Sequence, residues 1–235
     1  MIKSKHTIGW KWIGPIPDVM MEDPKKFAFD KPTNPVYKKT GYTNCPPTKK
    51  YFQNVFVLTS PSNFYAEVID NRVVFPEDKN DIRNLEYSNI MQIHNELDLE
   101  HMHVPVIQIN LNYLFVSDLP CKLEILPPFE TVNYWPGHVT AGEMDIQKWI
   151  RPVSWGFVWK DTSKPLQIKK GDPLCYVRFI TDNTVNLVEM KMTDELHDRI
   201  DSTTKVTKFT KRSAMSYIKT SFSRRPKTLI VPKDT

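Results

Sequence analysis

The stretch IQINLNYLF, residues 107–115, decides the fold class of this chain. Apolar residues recur at every second position between glutamine and asparagine, which is the period of a β-strand with one buried face. The same alternation returns in CKLEI, residues 121–125, and in VSWGFVW, residues 153–159. These stretches predict strands and not amphipathic helices.

Upstream of this stretch, the pattern predicts one hairpin and one irregular region. An apolar run at 64–69 is followed by Asp70 and Asn71, which favour a turn, and then by a second apolar run at 73–75. Residues 77–98 are charged and show no clear period. We therefore expect a hairpin followed by a long loop or insertion.

Downstream, a turn at 170–172 follows an apolar run at 166–168 and precedes further runs at 174–180 and 185–190. Its glycine offers positive φ and its aspartate favours the turn. Short strands joined by turns are typical of antiparallel β proteins. The sequence predicts a mostly β fold, either an antiparallel sandwich or jelly roll or a barrel, with short helices near the C-terminus.

The chain divides into three predicted parts. It holds 19 prolines against 7 glycines, and proline favours extended segments. Residues 1–54 combine prolines with aromatics, which predicts an extended arm over the surface of the domain or of a neighbouring subunit, outside any core sheet. Trp10 and Trp12 are predicted partner-binding residues of this arm. Residues 55–190 are predicted to form the β domain, and residues 191–235 a helical basic arm.

The C-terminal arm is predicted to begin with a short helix. Thr193 is a good N-cap, and Leu196 and Ile200 lie one turn apart on one helix face. A second amphipathic helix is predicted further on. Its apolar stripe, with Phe209 before it, is the predicted partner-binding surface of the arm: Phe209, Met215, Ile218 and Phe222.

The same arm is basic, with no acidic residue between positions 202 and 233. Its cations can neutralise phosphates of a nucleic acid, which gives weak, salt-sensitive binding. The residues predicted for this contact are Lys205, Lys208, Lys211, Arg212, Arg224 and Arg225. Because the arm is also apolar, docking on a protein partner or on another copy of the chain is the favoured hypothesis.

The cysteines and the hydropathy pattern bear on the compartment. Cys45, Cys121 and Cys175 are odd in number and far apart, which favours a reducing compartment over a disulfide framework. We find neither a signal-peptide core near the start nor a run of apolar residues long enough for a membrane span. The expectation is an intracellular protein of a reducing compartment, without membrane contact.

His101 and His103 form an H-x-H pair that can hold a metal ion, since residues two apart on a strand point to the same face. With His138 and Glu143 they predict a cupin-like site for an Fe, Mn or Zn ion. The cupin pattern places a glutamate soon after the pair, whereas residues 104–111 hold no acid. Loop histidines without a metal, and no cofactor, are the favoured interpretation.

Four tryptophans lie close together, interleaved with cations: Trp135, Trp149, Trp155 and Trp159 with Lys148, Arg151 and Lys160. Aromatic faces beside cations can stack the bases of a single-stranded nucleic acid. Alternating tryptophans on one strand are more typical of a buried core. No nucleophile elbow and no phosphate-binding loop is present, so an enzyme is not favoured.

Several motifs resemble a family of uncharacterised proteins encoded by tailed phages, especially marine phages of the T4-like kind. They are LPPF at 126–129, Pro136 with Gly137, the segment 142–151, the segment 169–179, Cys45 with Pro46, and 52–61. The resemblance covers most of the chain and implies a viral source and an all-β fold. It transfers no catalytic residue.

These observations favour a non-enzymatic phage accessory protein that binds other proteins, as a structural or assembly component of the virion. Two alternatives stay open: a metal-dependent, cupin-like β-barrel enzyme, and a nucleic-acid-binding accessory protein.

Overall fold

The computed structural model of this protein describes residues 5–14, 22–29, 42–70, 72–80, 91–94, 105–128, 135–206 and 226–233. Strands dominate these residues, and helices are few. The predicted mostly β fold is confirmed.

Fifteen strands lie within the described residues. They are β1 (Lys5–Trp12), β2 (Lys25–Lys26), β3 (Val55–Thr59), β4 (Phe64–Ile69), β5 (Arg72–Val74), β6 (Met91–His94), β7 (Val106–Asn110), β8 (Tyr113–Ser117), β9 (Lys122–Leu126), β10 (Gly137–Val139), β11 (Gly142–Asp145), β12 (Ser154–Trp159), β13 (Leu166–Ile168), β14 (Pro173–Ile180) and β15 (Thr184–Glu189). The helices described are α1 (Pro46–Phe52) and α2 (Asp194–Val206), with 3₁₀ turns at Tyr42–Asn44 and Glu77–Lys79.

The strands of the described part form four sheets. Their strand orders are β15-β1-β8, β10-β12-β7-β6, β11-β9-β14-β3-β2 and β13-β4-β5. Neighbouring strands run antiparallel, except β1 and β15, which run parallel. No closed barrel forms within these residues. The architecture is therefore sandwich-like, as the period-two pattern predicts.

Side chains from all four sheets meet in one core. Strand β12 shows why: Trp155, Phe157 and Trp159 lie on one face of the strand and are fully buried. The Trp155 indole N–H donates to Leu174 O at 2.8 Å, so its polar atom is satisfied inside the core. The prediction that these alternating aromatics are core residues is confirmed.

The stretch 107–115 forms two strands and not one. Strands β7 and β8 are separated by Leu111 and Asn112, and Asn112 adopts a left-handed φ of 58°. Asparagine tolerates this conformation better than other non-glycine residues. The alternation continues through the corner because Leu111 is buried as well, so periodicity alone does not mark the break.

The N-terminal residues correct a prediction. Strand β1 lies in the middle of its sheet, between β15 and β8, and Ile8, Trp10 and Trp12 are buried. The expected arm outside any core sheet is wrong for this segment. Residues 22–29 do lie on the outside of the fold, where β2 pairs with β3 at a sheet edge and Phe27 stacks on Phe52.

The region 77–98 also contains a strand that the sequence did not predict. Met91–His94 pairs antiparallel with β7 and forms the edge of its sheet. Among the described strands it has one hydrogen-bonded neighbour, β7, and native sheets often have very short edge strands.

The two predicted turns are confirmed. Strands β4 and β5 form a hairpin, with Asp70 at a φ of 49°. At the second turn, Gly171 has a φ of 87° and the Asp172 carboxylate accepts the Lys169 N–H at 2.8 Å. Gly137 has a different reason to be glycine: a Cβ there would lie 1.9 Å from Val158 O.

The predicted helix after position 193 is confirmed as α2. Thr193 Oγ1 accepts the Leu196 N–H at 3.2 Å, the contact expected of an N-cap. Leu196 is fully buried in an apolar cluster with Leu114 and Met190, and Ile200 packs against this cluster. The predicted second helix lies outside the described residues.

The end of the C-terminal arm, residues 226–233, is here called the C-terminal segment, and it docks on the chain's own domain. Leu229 and Ile230 are buried beside Met190 and Leu196. The Asp118 carboxylate accepts the N–H groups of Leu229, at 2.8 Å, and of Ile230, at 3.3 Å. The apolar residues of the arm suggested docking on a partner. Leu229 and Ile230 instead pack against the chain's own domain.

Candidate functional site

A groove of about 510 Å³ opens beside β11 and the residues that follow it. Its polar and charged lining residues are Gln108, Glu143, Asp145, Lys148, Arg151 and Ser154. Its apolar wall consists of Ile125, Met144, Trp149 and Pro152. We call it the Arg151 groove.

The local sequence explains how the groove is built. After β11, Asp145 Oδ1 accepts the N–H groups of Gln147 and Lys148, both at 3.1 Å, and this turns the chain. Ile146 and Ile150 are buried on the inner side of the turn. Lys148, between these two anchors, is exposed, Trp149 and Arg151 beside the second anchor are half-buried, and all three line the groove.

Both carboxylates of the groove lining already have a lysine partner. Lys122 Nζ lies 2.6 Å from Glu143 Oε1, and Lys148 Nζ lies 3.2 Å from Asp145 Oδ2. Each pair is local: Lys122 and Glu143 lie on the paired strands β9 and β11, and Lys148 follows Asp145 by one turn. The groove's acidic charge is therefore balanced without Arg151.

Arg151 has no such partner in the described part of the chain. It is half-buried, and no ion pair or hydrogen bond joins its side chain to any described residue. Burial lowers the pKa of Arg151 from its usual value, because desolvation disfavours the charged form. The group stays cationic near neutral pH, since an arginine pKa begins far above it. A desolvated cation without a counter-charge is costly to keep.

A second groove, of about 490 Å³, contains an arginine, Arg178, that does have partners within the chain. Arg178 Nε lies 2.8 Å from Glu124 Oε2, across the paired strands β9 and β14. Its guanidinium also stacks over the Tyr51 ring, 4.1 Å from the centroid. This arginine has both a counter-ion and an aromatic partner, as expected of a structural residue.

The predicted metal ligands are only partly within the described residues. His101 and His103 lie outside them. His138 lies on β10 and Glu143 on β11, which are edge strands of two different sheets. No group of three or more His, Cys, Asp and Glu side chains that could hold a metal ion occurs among the described residues. The metal site stays a prediction.

The residues predicted to bind a partner or a nucleic acid are either buried or mostly outside the described part of the chain. Trp10 and Trp12 are buried in the chain's own core, so they are not accessible to a partner. Phe209, Met215, Ile218 and Phe222 lie outside the described residues. Of the predicted basic residues, Lys205 lies in α2, and the others lie outside the described residues: Lys208, Lys211, Arg212, Arg224 and Arg225. Both of those predictions stay untested.

One buried contact resembles a catalytic pair and was missed in the sequence. His6 Nε2 lies 2.8 Å from Ser117 Oγ, and both residues are buried. The Ser117 hydroxyl donates to Leu119 O at 2.6 Å, so its oxygen accepts the N–H of His6. A serine that is fully buried and already donating its proton to a carbonyl is not presented to a substrate. The contact joins β1 to β8.

Sequence reasoning found parts of the Arg151 groove without finding the site. Trp149 stood out because cations flank it, and the structure separates it from Trp135, Trp155 and Trp159, which pack in the core. The decisive feature, an arginine without a partner among the described residues, depends on which carboxylates the fold brings close. Nothing in the spacing of the residues marks it.

Comparisons with known proteins give no family assignment. A scan against protein-family models found no match, and a search of curated proteins found none either. No helix in the described part of the chain is long and apolar enough to cross a bilayer.

Proposed function

We propose that this protein is a non-enzymatic accessory protein of a tailed phage that binds other proteins, as a structural or assembly component of the virion. The observation that carries the proposal is the Arg151 groove. It is open, most of its exposed surface is apolar although six of its ten lining residues are polar or charged, and Arg151 in it has no ion-pair partner among the described residues. An apolar wall with one oriented polar group is typical of a site that receives a side chain or a short segment of another molecule.

The phage source is supported by the resemblance in sequence. Among the motifs that carry it, the segment 142–151 supplies Lys148, Trp149 and Arg151 to the groove. The motif at Pro136 and Gly137 has a structural explanation in the close approach of Val158 O. The resemblance therefore includes the groove as well as the framework. We place the protein in the host cytoplasm and in the assembled particle.

Site-specific photo-crosslinking tests the proposal. A photoreactive phenylalanine analogue at Met144, in the groove wall, is introduced into the full chain during infection by the phage that encodes it. The matched control carries the analogue at Leu119, an apolar residue that is 58% exposed and does not line the groove.

We expect crosslinks from position 144 to a phage structural protein, identified by mass spectrometry, and a much lower yield from position 119. The protein should also sediment with particles or assembly intermediates. A chain that stays monomeric, forms no crosslink from position 144 and is absent from particles would refute the proposal.

A further inference from the structure

We infer that the Arg151 groove binds an acidic segment of a partner protein, with an Asp or Glu side chain of that segment paired to the Arg151 guanidinium. This inference rests on the proposed function, because it names the chemistry of the partner that the same groove receives.

The charge of Arg151 has no counter-charge among the described residues. Arg178 shows how this fold accommodates a half-buried arginine, with Glu124 at 2.8 Å and the Tyr51 ring at 4.1 Å. Arg151 has neither kind of partner among the described residues. A guanidinium presents a planar fork of N–H donors that matches a carboxylate in a bidentate pair. A carboxylate that enters the groove supplies what the described residues of the chain do not.

The wall of the groove beside that charge is apolar. Met144, Trp149 and Pro152 are half-buried apolar side chains that line the groove together with Arg151. They limit access of water to the guanidinium, and a hydrogen bond to a charged group is stronger where water is excluded. They also offer apolar surface to the neighbours of the acidic residue. The fitting ligand is an acidic residue flanked by apolar ones, and not an isolated ion.

The charges of the groove favour a protein segment over a nucleic acid. Lys148 of the lining is already paired with Asp145, and Glu143 is paired with Lys122, so the lining does not offer several unpaired cations to a chain of phosphates. Binding to a phosphate backbone gains affinity from several cations that act together, whereas Arg151 is the one unpaired cation of this lining in the described structure. A single carboxylate matches a single guanidinium.

The test uses the full chain and defined peptide pools. The first pool consists of acetylated and amidated heptapeptides in a Gly/Ser background, with one Asp or Glu between two apolar residues. A second pool carries Asn or Gln at that position, and a third carries Lys. A thymidine oligonucleotide is the nucleic-acid probe. The readout is the indole N–H resonance of Trp149 in ¹⁵N-tryptophan-labelled protein, assigned with Trp149→Phe.

The acidic pool is expected to shift the Trp149 resonance and to bind at least about tenfold more tightly than the Asn/Gln pool, the ratio that a charge-assisted pair gives. Arg151→Gln should lose that preference. The matched control, Lys164→Gln, removes an exposed cation that pairs with Asp161 at 2.8 Å outside the groove, and it should leave binding unchanged.

Equal binding of the acidic and Asn/Gln pools, or full acidic binding by Arg151→Gln, would overturn the inference while leaving a protein-binding groove in place. Stronger binding of the Lys pool or of the oligonucleotide would overturn it in favour of that chemistry. The crosslinking experiment decides the proposed function independently, because it detects any protein partner whatever its charge.

Discussion

The surface that receives the C-terminal segment and the Arg151 groove are built from the same components. Each places one charged side chain beside an apolar wall. At the first, Asp118 accepts two backbone N–H groups, and Leu229 and Ile230 are buried against the domain. At the second, Arg151 is half-buried without a partner in the described structure. The C-terminal segment completes the first site, whereas at the second no described residue supplies the counter-charge that we propose a partner provides.

Mutations at the two sites should therefore change different properties of the protein. Where the chain fills the site, every contact belongs to the folded state, so its loss lowers the free energy of unfolding. Where the site is open, the charged group costs desolvation in the free protein and is compensated on binding. Changes at the first site should affect stability, and changes at the second should affect affinity.

The largest effect is expected for Leu229→Ala. The side chain is 3% exposed and packs in an apolar cluster with Met190 and Leu196, and truncating a buried leucine lowers the free energy of unfolding by about 2–5 kcal/mol. Urea denaturation followed by tryptophan fluorescence measures it. Val231→Ala is the matched control, because Val231 is 41% exposed, and its change should be within about 0.5 kcal/mol. Equal, small changes at both positions would show that the C-terminal segment does not stabilise the domain.

A smaller loss is expected for Asp118→Ala. The variant leaves the N–H groups of Leu229 and Ile230 without the carboxylate that now accepts them, at a cost of about 1–3 kcal/mol. Asp182→Ala, at an exposed aspartate, is the control. Hydrogen exchange of the two amides provides a direct measurement, and unchanged protection in Asp118→Ala would contradict the assigned role.

The sequence predicted the strands whose burial is one-sided and the turns that carry their own chemistry. Trp155, Phe157 and Trp159 alternate because one strand face is buried, and Gly171 supplies a φ that other residues avoid. The sequence failed for β1, although Ile8, Trp10 and Trp12 show the same alternation, because the prolines that follow suggested an arm. Its parallel partner lies far along the chain, with Lys5 opposite Thr184, and a local pattern carries no information on such pairing.

The site was harder to predict than the fold for a different reason. Lys148, Trp149 and Arg151 are visible as an aromatic residue among cations, but so are other stretches of this chain. What makes Arg151 distinctive is that Asp145 pairs with Lys148 and Glu143 pairs with Lys122. Those choices are made by strand register and by the turn after β11, which residue types alone do not specify.

A fall in pH should lower the stability of the fold and leave the charge of the Arg151 groove unchanged. Burial lowers the pKa of His6 from its usual value, so the folded chain keeps this imidazole neutral while the unfolded chain takes up a proton near pH 6.5. The contribution to stability is complete above that pH and is lost as the pH falls below it. His6 contacts Ser117, the residue before Asp118, whereas Arg151 keeps its charge throughout this range.

Denaturation of the wild type at about pH 7.5 and about pH 5.5 should show lower stability in acid, and His6→Gln should show a smaller difference between the two conditions. Affinity of the groove for an acidic peptide should change little over the same interval, since carboxylates titrate near pH 4. An identical pH dependence of the wild type and His6→Gln would exclude His6 as the source.

The smallest effect on stability is expected for Arg151→Gln. This substitution removes a half-buried charge that has no counter-ion among the described residues, so the free energy of unfolding should stay within about 0.5 kcal/mol of the wild type or rise. Arg178→Gln is the matched control, because it leaves the half-buried Glu124 carboxylate without its ion-pair partner at 2.8 Å, and leaving a buried polar group without its partner costs about 1–3 kcal/mol. Parallel urea titrations of the two variants measure the contrast. If Arg151→Gln lowered stability as much as Arg178→Gln, Arg151 would be a structural residue of the fold, and the distinction between a filled and an open site would no longer hold.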